Sequence, residues 1–549
     1  GRYLMDALLP SLLLVALARA SPASTNASAY KTAEGSFVVR IGVYDTKGAV
    51  ATANYSADVE HVSFFGHLAV ETHSNSSDED QAYGLGFIEG YLTHERIYNH
   101  YLNMRCQVNC SGDPGSDDPV VNWLKNQDTW LESEINRRSS WDPVFAHMKL
   151  VRLQFKGLID GYASAAPESR QLPTWAFTLI NAVGDIFDIK PAVNETARPD
   201  VDRMSKEELN LYKVKNGHCS VLVKVTGDFS EMFFGHSSWF TYSSMLRIYK
   251  QYRTRFSDAS RAVNQQMSFS SYPGMLSSLD DFYLMHDTKL VMLQTTNSVL
   301  DPNAFEKVTS EGLLAWQRIR TANALAKTGK QWSGIVSVWN TGTYNNQYMV
   351  INVGAFKAND GLPDDILWVV EQMPGLVKGG DVTPALRRGY WPSYNVPYWP
   401  EVYNGSGYAL MDQKEGHSIG SEYELAPRAK IFRRDQGNVV DFETYKHIMR
   451  YNDFKNDPYA EGSPYGAVCS RGDLSETRPS PGGCYDTKAS SASRFLDGGV
   501  AEIVNGPTTN GGELPPFSWK NFEDSPHNGM PAVWNFTFEQ VQSPWAMDQ

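Results

Sequence analysis

The sequence predicts an α+β fold, with strands in a layer and helices on either side. Three observations carry that expectation. Alternating or β-branched runs bounded by turn residues recur along the 549 residues, several longer segments place apolar residues at helical spacing, and 42% hydrophobic with 12% aromatic residues supplies a large core. The length admits more than one domain, and no internal repeat or low-complexity tract marks a division.

Phe37–Val43 and Ala49–Tyr55, on either side of Asp45-Thr46-Lys47-Gly48, read as strands, and so does Val62–Val70. From Gln81 to Met104, the residues Leu85, Phe87, Ile88, Tyr91, Leu92 and Ile97 recur at roughly helical spacing; further helices are expected over Val120–Ile135, Val144–Tyr162 and Trp175–Phe187. Lys190–Lys215 is charged and poor in core residues, so 189–218 reads as an exposed linker. Next comes a hairpin, Cys219–Val225 and Glu231–His236 about Gly227-Asp228. A two-residue loop there pairs Val225 with Ser230 and sets His236 opposite Cys219.

Beyond the hairpin, Ser243–Tyr252 reads as a helix and Met267–Ser271, Asp281–Met285 and Lys289–Thr295 as strands. A helix over Ala304–Lys327 is followed by strands at Gly334–Asn340, Gln347–Val353 and Ile366–Gln372. After Lys378 the chain is rich in Gly, Pro, Tyr and Trp, with a last long helix at Val439–Tyr451.

Residues 1–20 read as a secretory signal region. The apolar run Leu8–Leu17 is too short to span a bilayer, and Ala18-Arg19-Ala20 offers a small-x-small cleavage site; residues 1–4 precede Met5 and are set outside the fold. Seven sequons, at Asn26, Asn54, Asn75, Asn109, Asn194, Asn404 and Asn535, fit that route, and Asn54, Asn75, Asn194, Asn404 and Asn535 are the expected glycosylation sites. No later run of about 18 apolar residues occurs, so no transmembrane segment is expected. A formal net charge of -13 and a pI near 5.5 argue against nucleic acid as a partner.

Five cysteines leave one unpaired within the chain. Cys106 with Cys110, and Cys469 with Cys484, can each close a short ring, which loop entropy favours, whereas Cys219 has no cysteine nearby. Cys219 is either a small buried thiol or a nucleophile. The second reading has a chemical rationale: cleavage between His218 and Cys219 would leave a free α-amine on the nucleophilic residue, with a reference pKa of about 7.7 to 8.0 that suits a general base. Asn216-Gly217 gives the turn-prone approach that an N-to-S acyl shift needs.

Competing chemistry is weaker. Gly416-His417-Ser418-Ile419-Gly420 is a literal G-x-S-x-G, but no buried strand precedes it and Pro427 stands where the helix should continue. No H-E-x-x-H, C-x-x-C or glycine-rich phosphate loop is present, so neither a metal nor a cofactor is implied. Arg471-Gly472-Asp473 admits an adhesive reading. For acyl transfer at Cys219, oxyanion donors are sought among Asn340, Asn345 and Asn346 in the turn before Gln347. His236 is a candidate to orient the thiol or substrate, and Arg433 and Arg434 are candidate charge partners.

Five segments carry a family resemblance: Asn216-Gly217-His218-Cys219-Ser220, Gly235-His236-Ser237-Ser238-Trp239, Gly342-Thr343-Tyr344-Asn345-Asn346-Gln347, Glu371-Gln372-Met373-Pro374-Gly375 and Pro427-Arg428-Ala429-Lys430-Ile431-Phe432-Arg433-Arg434-Asp435. At these residues the chain resembles the phospholipase B-like family of lysosomal proteins, most closely the first of its two mammalian types. Acid ceramidase and penicillin V acylase are relatives of that family among the N-terminal nucleophile (Ntn) hydrolases. The resemblance implies one composite αββα sandwich, cut before Cys219 into a 21–188 fragment with its 189–218 linker and a 219–549 fragment that stays associated with it. It further implies lysosomal delivery through a mannose 6-phosphate receptor. Cys219 matches the family nucleophile, and His236 and Trp239 fall on its active-site stretch. The oxyanion asparagine is carried to Asn345 or Asn346 and substrate binding to Trp239 and Arg434. The implied substrate is a fatty acyl ester of a (lyso)phospholipid, with an N-acyl amide or peptide as the alternative within enzymes. A lipid- or partner-binding glycoprotein without turnover is the alternative outside them.

Overall fold

Two β-sheets lie face to face, and helices cover the outer face of each. The computed structural model describes residues 24–57, 62–108, 118–201, 203–205, 208, 212, 219–258, 260–415 and 422–546. The chain opens with strands β1 (Thr25–Lys31), β2 (Phe37–Ile41), β3 (Ala51–Ser56) and β4 (Phe65–Thr72). Five helices follow: α1 (Asp78–Val108), α2 (Pro119–Arg138), α3 (Pro143–Ala165), α4 (Thr174–Asn181) and α5 (Val183–Val193). Both α2 and α3 begin at Asp-Pro. The carboxylates of Asp118 and Asp142 accept from the N–H groups of Val120 and Val144 at 2.8 and 2.9 Å, and the prolines take the first helical position, where no N–H is needed. Where α1 crosses α3, Gly86 and Gly161 let the backbones touch: an added Cβ would meet the carbonyl oxygens of Gln154 and Phe87 at 1.9 and 2.0 Å.

The second part of the chain supplies β5 (Ser220–Val225), β6 (Met232–Thr241), β7 (Arg247–Arg253), β8 (Gln266–Ser271), β9 (Phe282–Met285) and β10 (Leu290–Thr296). Helices α6 (Ala315–Leu325) and α7 (Gly329–Ser337) precede β11 (Asn346–Asn352), β12 (Leu367–Met373), β13 (Leu376–Asp381) and, after a short helical turn, β14 (Tyr390–Ser393). Helices α8 (Pro427–Asp435) and α9 (Phe442–Met449) then lead to β15 (Gly482–Ser491), β16 (Ala501–Asn505) and short strands at the end of the described chain.

The larger sheet has eleven strands in the order β13-β12-β11-β10-β9-β8-β7-β4-β3-β1-β2, antiparallel throughout except where β4 runs parallel to β7. The smaller sheet has six strands, with β14, β5, β6, β15 and β16 in succession. Between them lies a core that takes Val221, Val223 and Phe234 from one sheet and Phe282, Val291 and Met349 from the other. Leu85 and Ile88 of α1 and Trp332 of α7 pack on the far face of the larger sheet; Ile431, Tyr445 and Met449 of α8 and α9 pack on that of the smaller. These layers are the expected α+β sandwich, helices outside two mainly antiparallel sheets.

Several local expectations are corrected. Residues 243–252 are not helical: Tyr242–Ser244 make one 3-10 turn and Arg247–Arg253 form β7, in which Tyr249 faces one core and Ile248 and Tyr252 the other. Its charges misled the reading, because Arg247 and Lys250 are fully buried and paired with Asp280 and Glu89. The helix expected from Ala304 starts only at Ala315, whose N–H donates to Asp185 at 2.9 Å. Gly334–Ser337 belong to α7, which Thr328 caps through a hydrogen bond from the Gln331 N–H, rather than to a strand. β1 was not expected, since Asn26, Ala27, Ser28 and Ala29 give its centre no β-branched residue. The Arg471-Gly472-Asp473 tripeptide is folded on itself: the buried Arg471 guanidinium pairs with Asp473 at 2.7 Å.

Candidate active site

The β5–β6 hairpin forms, with a longer turn than the sequence suggested. Asp228 accepts from the N–H and hydroxyl of Ser230, the Thr226 N–H donates to the Glu231 carbonyl, and Val225 pairs with Met232. The register is therefore shifted by two: His236 lies opposite Val221, and Ser237 opposite Ser220. A shift of two keeps side chains on the same face. Cys219 and His236 thus share the inward face, one pair out of line, and no hydrogen bond joins them in the structure. On the next strand, β15, Lys488 pairs with His236 and Asp486 with Ser238, so the inward face that is apolar at Val223 and Phe234 becomes charged at its Cys219 end.

Cys219 is fully buried and has φ of +82°, a left-handed conformation that a non-glycine residue holds only under constraint from its surroundings. Its thiol lies 3.9 Å from Oδ1 of Asp280. Burial and the Asp280 charge push the thiol pKa well up, against an opposing hydrogen bond from the Trp239 backbone. Asp280 in turn accepts from Tyr272 and, at 2.6 Å, from Tyr485, and its Oδ2 lies 3.1 Å from Nη1 of Arg247. The guanidinium of Arg247 lies 3.9 Å over the Tyr272 ring and reaches Asp486 at 3.1 Å. Burial would raise the Asp486 carboxyl, but Lys488 and Arg247 hold it at about 2. Lys488 bridges Asp486 at 2.7 Å and His236 Nδ1 at 3.0 Å; burial, then the Lys488 charge, keep the His236 imidazole well below its ordinary pKa. Two cations, Arg247 and Lys488, and a second anion, Asp486, all buried, therefore surround Asp280 beside the thiol.

Arg428 of α8 clamps the backbone at the same point. Its guanidinium donates to the Cys219 carbonyl at 2.6 Å, to Ser220 Oγ at 3.1 Å, to the Tyr394 carbonyl at 3.0 Å and to Asn395 Oδ1 at 2.6 Å, and lies 4.2 Å over the Trp239 ring. Burial lowers its pKa to about 9. A cleft of about 210 Å³ opens beside this cluster; its lining mixes polar and charged residues, Asp280, Asn297, Asp188 and Lys190 among them, with apolar ones such as Phe187, Leu279, Val299 and Phe305. Asn297, at the end of β10, is the polar group that stands out: both amide atoms are buried and have no hydrogen-bond partner.

A family profile described as Phospholipase B matches residues 51–541. The chain belongs to the phospholipase B family. It is 42% identical over 545 residues to phospholipase B-like 1 of Bos taurus, covering 97% of this chain and 96% of that one. It is 44% identical over 458 residues to phospholipase B-like 1 of Rattus norvegicus (82% and 80%), and 42% identical over 467 residues to phospholipase B of Crotalus adamanteus (84% and 82%).

In this phospholipase B family chain, the residues singled out from sequence fall in different places. Cys219, Trp239 and, through Lys488, His236 belong to the charged cluster. Asn345 and Asn346 are not among the residues that line the cleft, and both side-chain amides are engaged. Asn345 donates to Asp188 and to the Gly342 carbonyl, each at 3.1 Å; Asn346 donates to the Tyr344 carbonyl at 2.9 Å and Tyr348 at 3.0 Å. Arg434 pairs with Asp435 at 2.6 Å and Asp457 at 2.9 Å and lines no part of the cleft. Arg428, six residues earlier in the same helix, is the arginine beside Cys219. Sequence reading missed Asn297, Asp280, Asp486 and Lys488; a polar Thr295-Thr296-Asn297-Ser298 run ending an apolar strand was the available signal for the first.

A disulfide joins Cys469 to Cys484 and packs against Trp239. Asn75, Asn194, Asn404 and Asn535 are exposed, and Asn54 is half-buried in β3, donating to Asn26 at 2.8 Å. His218, Cys110, the 416–420 G-x-S-x-G and the signal region lie outside the described residues. Among the described residues no cluster of histidine, cysteine and carboxylate could hold a metal, and no helix is long and apolar enough to cross a membrane.

Proposed function

We propose that this chain is a lipid acyl hydrolase of the Ntn type, activated by cleavage before Cys219, and that it removes fatty acyl groups from (lyso)phospholipids. The observation that carries the reading is the buried, positive-φ Cys219 at the head of β5, set between Asp280 and Arg428 beside a partly apolar cleft. The family membership and the relatives named as phospholipases supply the lipid class.

In the uncut chain the thiol keeps its proton, because burial and Asp280 both oppose the thiolate. Backbone strain of about 1–3 kcal/mol is typical of such a conformation and favours attack of Sγ on the preceding carbonyl. Sulfur bonds to that carbon, the thiol proton passes to the departing nitrogen and the C–N bond breaks, giving a thioester and the free α-amine; water then hydrolyses the thioester, releasing the upstream fragment as its carboxylic acid and restoring the thiol. In turnover the α-amine takes the thiol proton as sulfur attacks the ester carbonyl. The Asn297 amide donates to the oxyanion. The leaving alkoxide takes the proton from the ammonium, and water, deprotonated by the amine, frees the fatty acid. Lysosomal delivery through mannose 6-phosphate, with the cleaved N-terminal fragment retained, belongs to the same proposal.

The test is intact-mass and N-terminal sequence analysis of the purified protein after incubation at mildly acidic pH, beside Cys219→Ala. A fragment beginning at Cys219 in the wild type alone, with fatty acid released from a lysophospholipid, is expected. An uncut wild-type chain returns Cys219 to a buried structural thiol.

A further inference from the structure

Thr296 and Asn297, where β10 ends, bring three polar atoms to the cleft that no group among the described residues answers. Both residues line it, Asn297 is 4% and Thr296 9% exposed, and neither the Thr296 hydroxyl nor either amide atom of Asn297 has a hydrogen-bond partner. Buried polar atoms without partners are uncommon in native proteins, and three on consecutive residues beside one cleft point to a ligand.

The backbone at the same place is held from three sides. The Asn297 N–H donates to the Asn345 carbonyl at 2.8 Å, the Ser298 N–H donates to the Tyr408 hydroxyl at 3.2 Å, and the Thr296 carbonyl accepts from Nδ2 of Asn395 at 2.7 Å. Asn395 Oδ1 in turn accepts from Arg428 at 2.6 Å, and Arg428 donates to the Cys219 carbonyl at 2.6 Å. One run of hydrogen bonds therefore ties the backbone that carries Asn297 to the nucleophile, while its carboxamide stays uncommitted.

A carboxamide presents donors on nitrogen and an acceptor on oxygen. An oxyanion uses only a donor, so Asn297 Oδ1 needs a donor from the substrate, and leaving it bare costs free energy. Covalent geometry selects that donor. In a trans secondary amide the N–H and C=O point to opposite sides, so a carboxamide bonded to the carbonyl oxygen does not also reach that N–H. An ester has no donor of its own. A hydroxyl on the neighbouring carbon of the alcohol is not so restricted, because it turns on single bonds to lie beside the carbonyl oxygen.

We propose that Asn297 reads a free hydroxyl vicinal to the scissile ester, so that the preferred substrate is a monoacyl lysophospholipid rather than a diacyl phospholipid or an N-acyl amide. The assignment rests on the acyl-hydrolase reading above. Nδ2 meets the ester carbonyl oxygen and Oδ1 accepts from the hydroxyl, which in a diacyl lipid is itself esterified and has no proton to give. The enzyme then takes the second of two deacylations, on a lipid from which another acyl hydrolase has removed one chain.

The experiment compares kcat/KM for 1-acyl lysophosphatidylcholine and for its 2-deoxy analogue, in which hydrogen replaces the hydroxyl, in matured wild type and Asn297→Ala. The wild type is expected to favour the hydroxylated lipid about tenfold or more, the effect of leaving a buried acceptor unpaired, and Asn297→Ala, slower on both, to bring the ratio near one. The short-chain 1-O-alkyl ethers of the same two lipids cannot be hydrolysed, and their calorimetric binding to the wild type, expected to show a preference of the same sign, needs neither turnover nor a substitution. A wild-type ratio near one, or a ratio that Asn297→Ala leaves unchanged, overturns the hydroxyl assignment. So does faster turnover of the matching N-acyl amide than of the ester. Hydrolysis of none of these lipids instead overturns the acyl-hydrolase reading, and ether binding still decides whether the hydroxyl is read.

Discussion

Replacing Asp280 by asparagine keeps the shape of the site and removes one negative charge 3.9 Å from the Cys219 sulfur. At an effective dielectric of about 20, that charge destabilises a thiolate by about 4 kcal/mol, or about three pH units. This is an upper bound, because Arg247 lies 3.1 Å from the same carboxylate and offsets part of it. The sign is the same for both ionising groups on Cys219: a carboxylate disfavours the thiolate and favours an ammonium, so both pKa values fall when it goes. The acid limb of the pH profile of kcat/KM is therefore expected to move to lower pH in Asp280→Asn. Arg247→Met removes the opposing charge and is expected to move it the other way. The assay is fatty acid release by the cut fraction of each variant between about pH 4 and 9, the range that brackets the reference pKa values involved. A limb that stays in place in Asp280→Asn, or that moves the same way in both variants, would refute the electrostatic account of the thiol.

Asn297→Ala is expected to lower kcat by about 10² to 10³, the usual cost of one oxyanion donor, with little change in thermal unfolding because its amide has no internal partner. Asn345→Ala should do the reverse, lowering the melting temperature through lost bonds to Asp188 and Gly342; equal kcat losses in both would sink the distinction. Gly86→Ala at the α1–α3 crossing meets backbone that cannot turn aside, and is expected to destabilise by at least about 1–3 kcal/mol in thermal or denaturant unfolding. Burial raises the folded-state pKa of Asp188 and of Glu371 to about 7, so the folded chain binds more protons than the unfolded one between about pH 4 and 7. Stability should then fall as pH rises through that window, and Asp188→Asn with Glu371→Gln should flatten the fall in melting temperature measured from pH 5 to 7.5.

The layered fold was legible because most of its strands are ordinary ones: Ile366–Gln372 and Lys289–Thr295 announce themselves by β-branched and apolar content, and α1 by its period. What stayed hidden was hidden by charge and by long range. Arg247 and Lys250 disguised β7, since nothing local says that Asp280, Asp486 and Glu89 will neutralise them in the interior. Cys219 was legible from cysteine count and position, whereas Arg428 and Asp280 reach it from 209 and 61 residues away. The turn register failed for a local reason, the Asp228 side chain closing a wider loop than Gly227-Asp228 alone would make. The oxyanion role was read at Asn345 and Asn346 from a predicted turn and from the family resemblance, while the unpartnered state of the Asn297 side chain exists only in the folded chain.

The parallel seam between β4 and β7 pairs Phe65 with Arg247 through Glu71 with Arg253. The first strand lies upstream of Cys219 and the second downstream, so one ladder spans the bond proposed to be cut. Before the cut, the joining chain holds the two strands at high effective concentration. After it, any molecule that melts must find its other half by collision, with a β4 edge and a β7 edge bare in the meantime and open to wrong partners. Uncut precursor and cut enzyme, with the same contacts, would then differ in history: the precursor able to cool back to its starting state, the cut enzyme losing material on every heating cycle at a rate set by its unfolding barrier.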